Sequence, residues 1–296
     1  MELLASIISS TLNAGTPLLI AAVGILIHEK SGVLNLGIEG IMLMGAVTGF
    51  GVTLSTGSFA LGFAAGFGVG LLLGLLFAFF TIGIHANQYA AGLALTLFGT
   101  GLSAFIGQPM QGAALPSRAP LGIPFLEDVP FFGPAFFSLH AFVYVALILL
   151  ALVWYFLFKT RGGLILRAVG ESPESAYALG YPVRRIRLYA VVFGASMAGL
   201  AGAYLSLVYT PLWVEGMTAG RGWIALALVI FGAYLFGGVT MLQFAFQGMG
   251  IAVPPQFMAM TPYLATILVL VLISRNPEWI RLNVPASLGK PFQPNH

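Results

Sequence analysis

The 296-residue chain has no cysteine, which excludes disulfides and thiolate metal sites. Charge is scarce as well: 7% of its residues are Asp, Glu, Lys or Arg, against about 25% in a typical soluble domain. The four histidines, His28, His85, His140 and His296, are scattered at the ends of apolar runs and in the tail, so they suggest neither a metal site nor acid–base chemistry. The phosphate loop G-x-x-x-x-G-K-[ST] is missing, because Lys30, Lys159 and Lys290 all lack its context. The expectation is therefore no enzyme, no cofactor and no ATP hydrolysis through that motif. The N-terminus lacks a basic n-region and an obvious cleavage site, so its first apolar run reads as a retained span.

What the chain does have is apolar length. Hydrophobic residues make up 59% of it, with 38 glycines and a mean hydropathy of +0.97. The expected fold is all-α, a polytopic transmembrane helical bundle of about 8–9 membrane segments forming one domain over residues 1–296. Six spans are predicted at Leu3–Ile27, Val33–Leu54, Phe59–Ile84, Tyr89–Ile106, Leu139–Phe158 and Leu188–Tyr209. Asn13, Gly15 and Pro17 are expected to bend the first. Tyr263–Ile273 closes the set. A spacing of four residues aligns Gly62, Gly66, Gly70 and Gly74 on one face of the third span, which favours close helix packing inside the chain over a subunit interface.

Six of the 12 basic residues fall between Lys159 and Arg187. Basic loops stay on the cytoplasmic side, so this island reads as topology-setting charge and not as a nucleic-acid surface. The loop Gln108–Ser138 carries Arg118 against Glu127 and Asp128 and suits the outer side. Counting back places the N-terminus outside and His28-Glu29-Lys30 inside; the tail 275–296, with Arg275, Arg281 and Lys290, belongs inside too. A single crossing by Trp223–Phe246 would leave Arg275, Arg281 and Lys290 outside after the last span, and two full crossings need about 40 residues where about 25 are available. A pair of short or broken half-helices near 223–247, turning near Gly232 or Gly237-Gly238, meets both constraints.

Two stretches carry candidate function. Asn35 and Glu39, four residues apart, are expected on one face of the second span, with Glu39 about 9 Å inside it. An ionisable residue at that depth either lines or gates a solute path or bonds helices together. Within the basic island, Glu171-Ser172-Pro173-Glu174-Ser175-Ala176-Tyr177-Ala178-Leu179-Gly180 reads as a short capped helix. Ser172 is an N-cap, Pro173 suits the first helical position, Glu174 complements the helix dipole, and Gly180 followed by Pro182 stops it. So short a helix must be held by contacts, and Ser175, Ala176 and Ala178 offer small faces for seating in a groove.

These stretches resemble the permeases of ABC importers in the family that moves branched-chain amino acids, ribose-type sugars and nucleosides. The island resembles the family's cytoplasmic coupling loop, and GVLNLGIEGIMLMGA (Gly32–Ala46) its signature second span. His85-Ala-Asn87-Gln88 and Pro262-Tyr263-Leu264-Ala265-Thr266 match as well, and the likeness is strongest to the nucleoside branch. The resemblance implies a multi-pass subunit of the bacterial cytoplasmic (inner) membrane working by alternating access. A separate ATPase would dock on a coupling helix at Pro173–Leu179, an extracytoplasmic binding protein would deliver solute, and a second, paralogous permease would complete the pore. It makes Asn35, Glu39, Asn87 and Gln88 pathway candidates. The solutes implied are nucleosides or related polar molecules, with simple sugars or branched-chain amino acids as the alternative. An ion-driven secondary transporter is the competing class, and it calls for more ionisable groups in mid-membrane than Glu39. The chain departs from the family where only Ala233 and Tyr234 separate Val229–Gly232 from Leu235–Gly238; members carry a longer segment there, often with Trp-x-Pro.

Overall fold

A peptide group in lipid has no water to bond, so long apolar runs close their hydrogen bonds within their own segment and become helices. The computed structural model describes residues 2–117, 120–122, 126–127, 129–227, 237–242, 255–274 and 284–293. Among these, α1 (Glu2–Lys30), α2 (Ile38–Thr56), α3 (Phe59–Ala78), α4 (Gln88–Gly107), α5 (Ala141–Lys159) and α8 (Val183–Tyr204) are long. α3 runs on through a π-turn at Phe79–Gly83, and α8 through another at Leu205–Tyr209. These six, with their extensions, are long and apolar enough to cross a membrane, and they match the six predicted spans. Between α5 and α8 lie α6 (Arg161–Glu171) and α7 (Pro173–Ala178); α9 (Arg221–Ala227) and α10 (Pro255–Ser274) follow. Residues 237–242 are also helical. The broken half-helices expected near 223–247 fall largely outside the described residues, as do the proposed turn at Gly232 and the Ala233-Tyr234 junction.

Glycine sets the packing. α8 runs through the centre against α1, α2 and α3. Gly24 of α1 faces Gly194, while Gly45 of α2 and Gly66 and Gly70 of α3 meet the backbone of α8 around Gly199 and Ala195. All four ladder glycines of α3 are buried and face α2 or α8, so the ladder serves packing within the chain. The short helix at 237–242 lies against the other end of α1, with Gly237 at the backbone of Thr11 and Gly15. α1 itself stays helical through Pro17.

The structure differs from the expectations in four places. α2 starts at Ile38, not Val33, because Gly32 sits at φ +85° and Asn35 Oδ1 accepts from Gly37 N at 2.8 Å, a local turn that competes with the helix. Glu39 is thus in the first turn. α8 begins at Val183, directly after Pro182, so Arg184, Arg185 and Arg187 ride on its first turns. The island also holds α6, capped where Thr160 Oγ1 accepts from Gly163 N at 3.1 Å. The loop after α4 is closed by a two-residue antiparallel ladder, Leu121 opposite Leu139 and Gly122 opposite Ser138.

The ladder yields a paired test. Gly66→Leu would drive a side chain into Ala203 and the α8 backbone, whereas the space around Gly68 is open to 4 Å. Overpacking of this kind costs about 1–3 kcal/mol or more. Thermal unfolding in detergent should show a marked loss for Gly66→Leu and little change for Gly68→Leu.

Candidate functional site

One end of the bundle gathers the basic island, the α1–α2 loop, the α3–α4 loop and the tail. α7 lies on its surface. Ser172 Oγ accepts from Ser175 N at 3.4 Å and shares a 2.7 Å bond with the Ser175 hydroxyl. At the other end Gly180 takes φ +88°, Gly180 N donates to Tyr177 O at 2.8 Å, and Tyr181 N donates to Ala176 O at 3.1 Å. That is a Schellman stop, and it needs a residue at ease with positive φ. Both caps fall where the sequence places them. The seating differs: Pro173 and Ala176 are buried, with Ala176 packed among Val169, Val183 and Phe292. Glu174, Ser175, Tyr177, Ala178 and Leu179 are exposed, so the outward face is partly aromatic and aliphatic, and Ala176 is not on it.

Arg187 holds this end together. It is only 2% exposed. Its Nε donates to Ser31 O at 3.1 Å, Nη1 to Lys290 O at 3.2 Å and Nη2 to Ser287 Oγ at 3.0 Å. The Ser287 hydroxyl donates to Gly170 O at 2.5 Å, and Gly289 N donates to Gly32 O at 3.2 Å. Glu171 Oε2 accepts from Ala286 N at 3.4 Å, and the Phe292 ring lies 5.7 Å from Tyr177. The tail is thereby laced between α7, the end of α6 and the α1–α2 loop. Phe292 and Ser287 gave no signal in the sequence, since a lone Phe and a Ser in a polar tail are ordinary there.

The four pathway candidates gather near the α1–α2 loop but do different work. Gln88 Oε1 accepts from Leu34 N at 2.8 Å, and its Nε2 donates to Lys290 O at 3.5 Å. Asn87 caps α4, accepting from Tyr89 N at 2.9 Å and Ala90 N at 3.1 Å. It also edges an apolar groove of about 450 Å³ between α3 and α4, walled by Phe80 and Phe98. Asn35 is buried, and its Nδ2 has no partner among the described residues.

Glu39 is fully engaged. Oε1 accepts from Thr218 Oγ1 at 2.5 Å and Gly220 N at 2.7 Å, and Oε2 accepts from Gly222 N at 2.6 Å. Leu212 bridges to Ala114 beyond the end of α4, and the Trp213 ring lies on Gly107. By Thr218 the chain has reached Glu39, whose neighbour Gly40 packs on Gly99, about 12 Å back along α4 from Gly107. After α8, then, the backbone turns back into the bundle, and the Glu39 carboxylate pairs the amides at the base of that return, where α9 begins. Ala219, at φ +47°, offers its carbonyl to the Tyr263 hydroxyl of α10 at 2.6 Å. Gly216, Gly220 and Gly222, in close succession before an apolar run, mark the turn in the sequence but not its partner.

Comparison with known proteins gives a concordant picture. Residues 7–278 match the family described as branched-chain amino acid transport system, permease component. A putative glucose ABC transporter permease protein of Haloferax volcanii is 41% identical, over 97% of each chain. A guanosine ABC transporter permease protein of Bacillus subtilis is 32% identical, over 91% of this chain and 92% of its own length. A nucleoside ABC transporter permease protein of Lactococcus lactis is 33% identical, over 90% and 91%. The first two organisms each hold a second permease that this chain also matches. The Haloferax alignment runs over 320 residues against a chain of 296, so that relative holds residues this chain lacks. No solved structure matches the chain.

Removing the Glu39 carboxylate leaves the amides of Gly220 and Gly222 unpaired in a buried site, at about 1–3 kcal/mol per group. Glu39→Ala should lower the unfolding temperature and open the segment Thr218–Ala227 to protease; Glu39→Gln, which keeps an acceptor, should do less. For Arg187, the variant Arg187→Lys cannot reproduce a three-way fork. Limited proteolysis should release the tail 284–293 from both Arg187→Lys and Arg187→Ala while the helical core survives.

Proposed function

The chain belongs to the family of branched-chain amino acid transport system permease components, and from that premise we propose that it moves nucleosides or related polar solutes inward by alternating access. It is a multi-pass membrane protein and a permease subunit of an ABC importer. The observation that carries the coupling to a partner is α7: a helix capped at both ends, seated by Pro173 and Ala176, with Tyr177 and Leu179 turned outward at the most basic end of the bundle. A partner ATPase docks there and supplies the energy that this chain has no phosphate loop to harvest.

Movement of α7 has a short physical route inward. Phe292 and Arg187 tie it to the α1–α2 loop, α2 follows directly, and Glu39 in its first turn holds the returning segment Thr218–Gly222. Glu39 and Gln88 act as positioning residues, fixing the walls of the path. Asn35, whose buried amide nitrogen has no partner among the described residues, is the candidate to meet solute or water along it, and Asn87 shapes the groove mouth. The basic end faces the cytoplasm by the positive-inside rule, which puts the N-terminus outside, the tail inside, and the Gln108–Ser138 loop on the side from which a binding protein delivers solute. The protein sits in the cytoplasmic membrane. A second, paralogous permease completes the pore, as the paired relatives in two organisms suggest.

Nucleosides are the first choice because two relatives at 32% and 33% identity carry guanosine and nucleoside names. Hexose is the second reading, favoured by the 41% relative. Uptake of labelled guanosine and glucose into vesicles holding this chain with its ATPase, second permease and binding protein separates them. Guanosine uptake that glucose does not inhibit supports the first; the reverse establishes the second. Transport by the single chain under an ion gradient without ATP would overturn both.

Gly180→Val tests the coupling role. A β-branched residue at a left-handed position costs about 1–2 kcal/mol, although the space around Gly180 is open. ATP hydrolysis should persist while solute moved per ATP falls several-fold; an unchanged ratio would count against docking on α7.

A further inference from the structure

Where α3 ends against the start of α8, at the charged end, a groove of about 330 Å³ opens between them. Leu75, Ala78, Phe79, Ile82, Gly83 and Leu188 line it together with Arg184 and Arg185. The π-turn at Phe79–Gly83 shapes it: the wider turn leaves Ala78 buried and throws Phe79 outward, 58% exposed. Just beyond, His85 is held at φ +58°, with Nε2 3.4 Å from Arg184 Nη2. Two cations and an imidazole thus crowd together, yet no carboxylate lines the groove, and neither arginine has a carboxylate partner among the described residues.

We propose that this groove binds the head group of an anionic phospholipid, with Arg184 and Arg185 on the phosphate and the acyl chains along Leu75, Phe79, Ile82 and Leu188. The guanidinium fork matches a phosphate in shape and charge. The walls decide the source of that phosphate. They belong to spanning helices and run from the arginines toward the bilayer, past the exposed Leu72 and Leu75. A free phosphate would gain nothing from them, and an acidic protein would use the arginines and leave the apolar groove to solvent or lipid. Basic clefts between helices at the charged end suit anionic lipid for this reason. The proposal does not depend on which solute is carried.

Each basic side chain close to an anionic surface strengthens attachment roughly five-fold, so the pair predicts a preference on the order of 30-fold. The test is native mass spectrometry of the intact chain in detergent, titrated with dioleoyl phosphatidylglycerol or dioleoyl phosphatidylcholine. Wild-type protein should retain phosphatidylglycerol over phosphatidylcholine by about that factor, and inorganic phosphate should not displace it. Arg184→Gln with Arg185→Gln should bring the ratio to near one. Gly83→Leu adds bulk in the groove lining without touching charge, and a Cβ at that position would meet only Phe79, at 3.7 Å; it should weaken phosphatidylglycerol several-fold and keep the proposal testable if the double variant fails to fold. No lipid preference in the wild type, a preference that survives both variants, or full displacement by phosphate would each overturn the lipid site. Loss of ATPase attachment in the arginine variant with lipid preference intact would assign the arginines to the ATPase instead.

Discussion

Inside a bilayer every peptide group must find a partner in the protein, and the geometry of this chain follows from how it meets that demand. Continuous helices meet it without help. The return after α8 cannot, because Leu212 to Gly222 is not a continuous helix and still runs into the bundle. The Glu39 carboxylate supplies the missing acceptor, taking the amides of Gly220 and Gly222 and the hydroxyl of Thr218 at once. A charge there is tolerable because its oxygens are met by donors at close range. The glycines serve the same end from another direction. By removing side chains at Gly45, Gly66, Gly70 and Gly199, they let α2, α3 and α8 approach backbone to backbone, which anchors α2 and hence Glu39.

The basic island divides into parts with separate tasks. Arg187 turns inward and ties the tail, α6 and the α1–α2 loop into one block. Arg184 and Arg185, on the same helix turn or the next, face outward beside an apolar groove. α7 keeps Glu174, Ala178 and Leu179 exposed, with Tyr177 beside the Phe292 ring. One cluster of positive charge in the sequence thus divides into a buried clamp and an exposed pair beside an apolar groove, with α7 packed close by. Rigid connection at this end and an irregular, carboxylate-held segment deeper in the bundle suit a subunit that must transmit movement inward and yet rearrange around a solute.

Features set by local chemistry were legible in the residues. The six spans follow from apolar length, and the caps of α7 follow from Ser172, Pro173 and Gly180, because a cap is decided within a few residues. The Gly62–Gly74 stripe announced close packing by its period alone. Local competition was harder to weigh: Asn35 could continue a helix with Glu39 or bond Gly37, and the turn won because Gly32 and Gly37 flank it. Ala176 looked like an outward small residue until Phe292, far along the chain, took the space beside it.

The sequence by itself determined that this is a helical membrane protein, where six long spans lie, and where a short capped helix lies in the basic island. Those properties depend on hydropathy and on neighbours a few residues apart. Only the tertiary structure decided what Glu39 and Arg187 hold. Their partners lie 179 to 183 residues away for Glu39 and 100 to 156 for Arg187. A hydrogen bond between such distant segments is fixed by how the helices stack, and no local pattern records it.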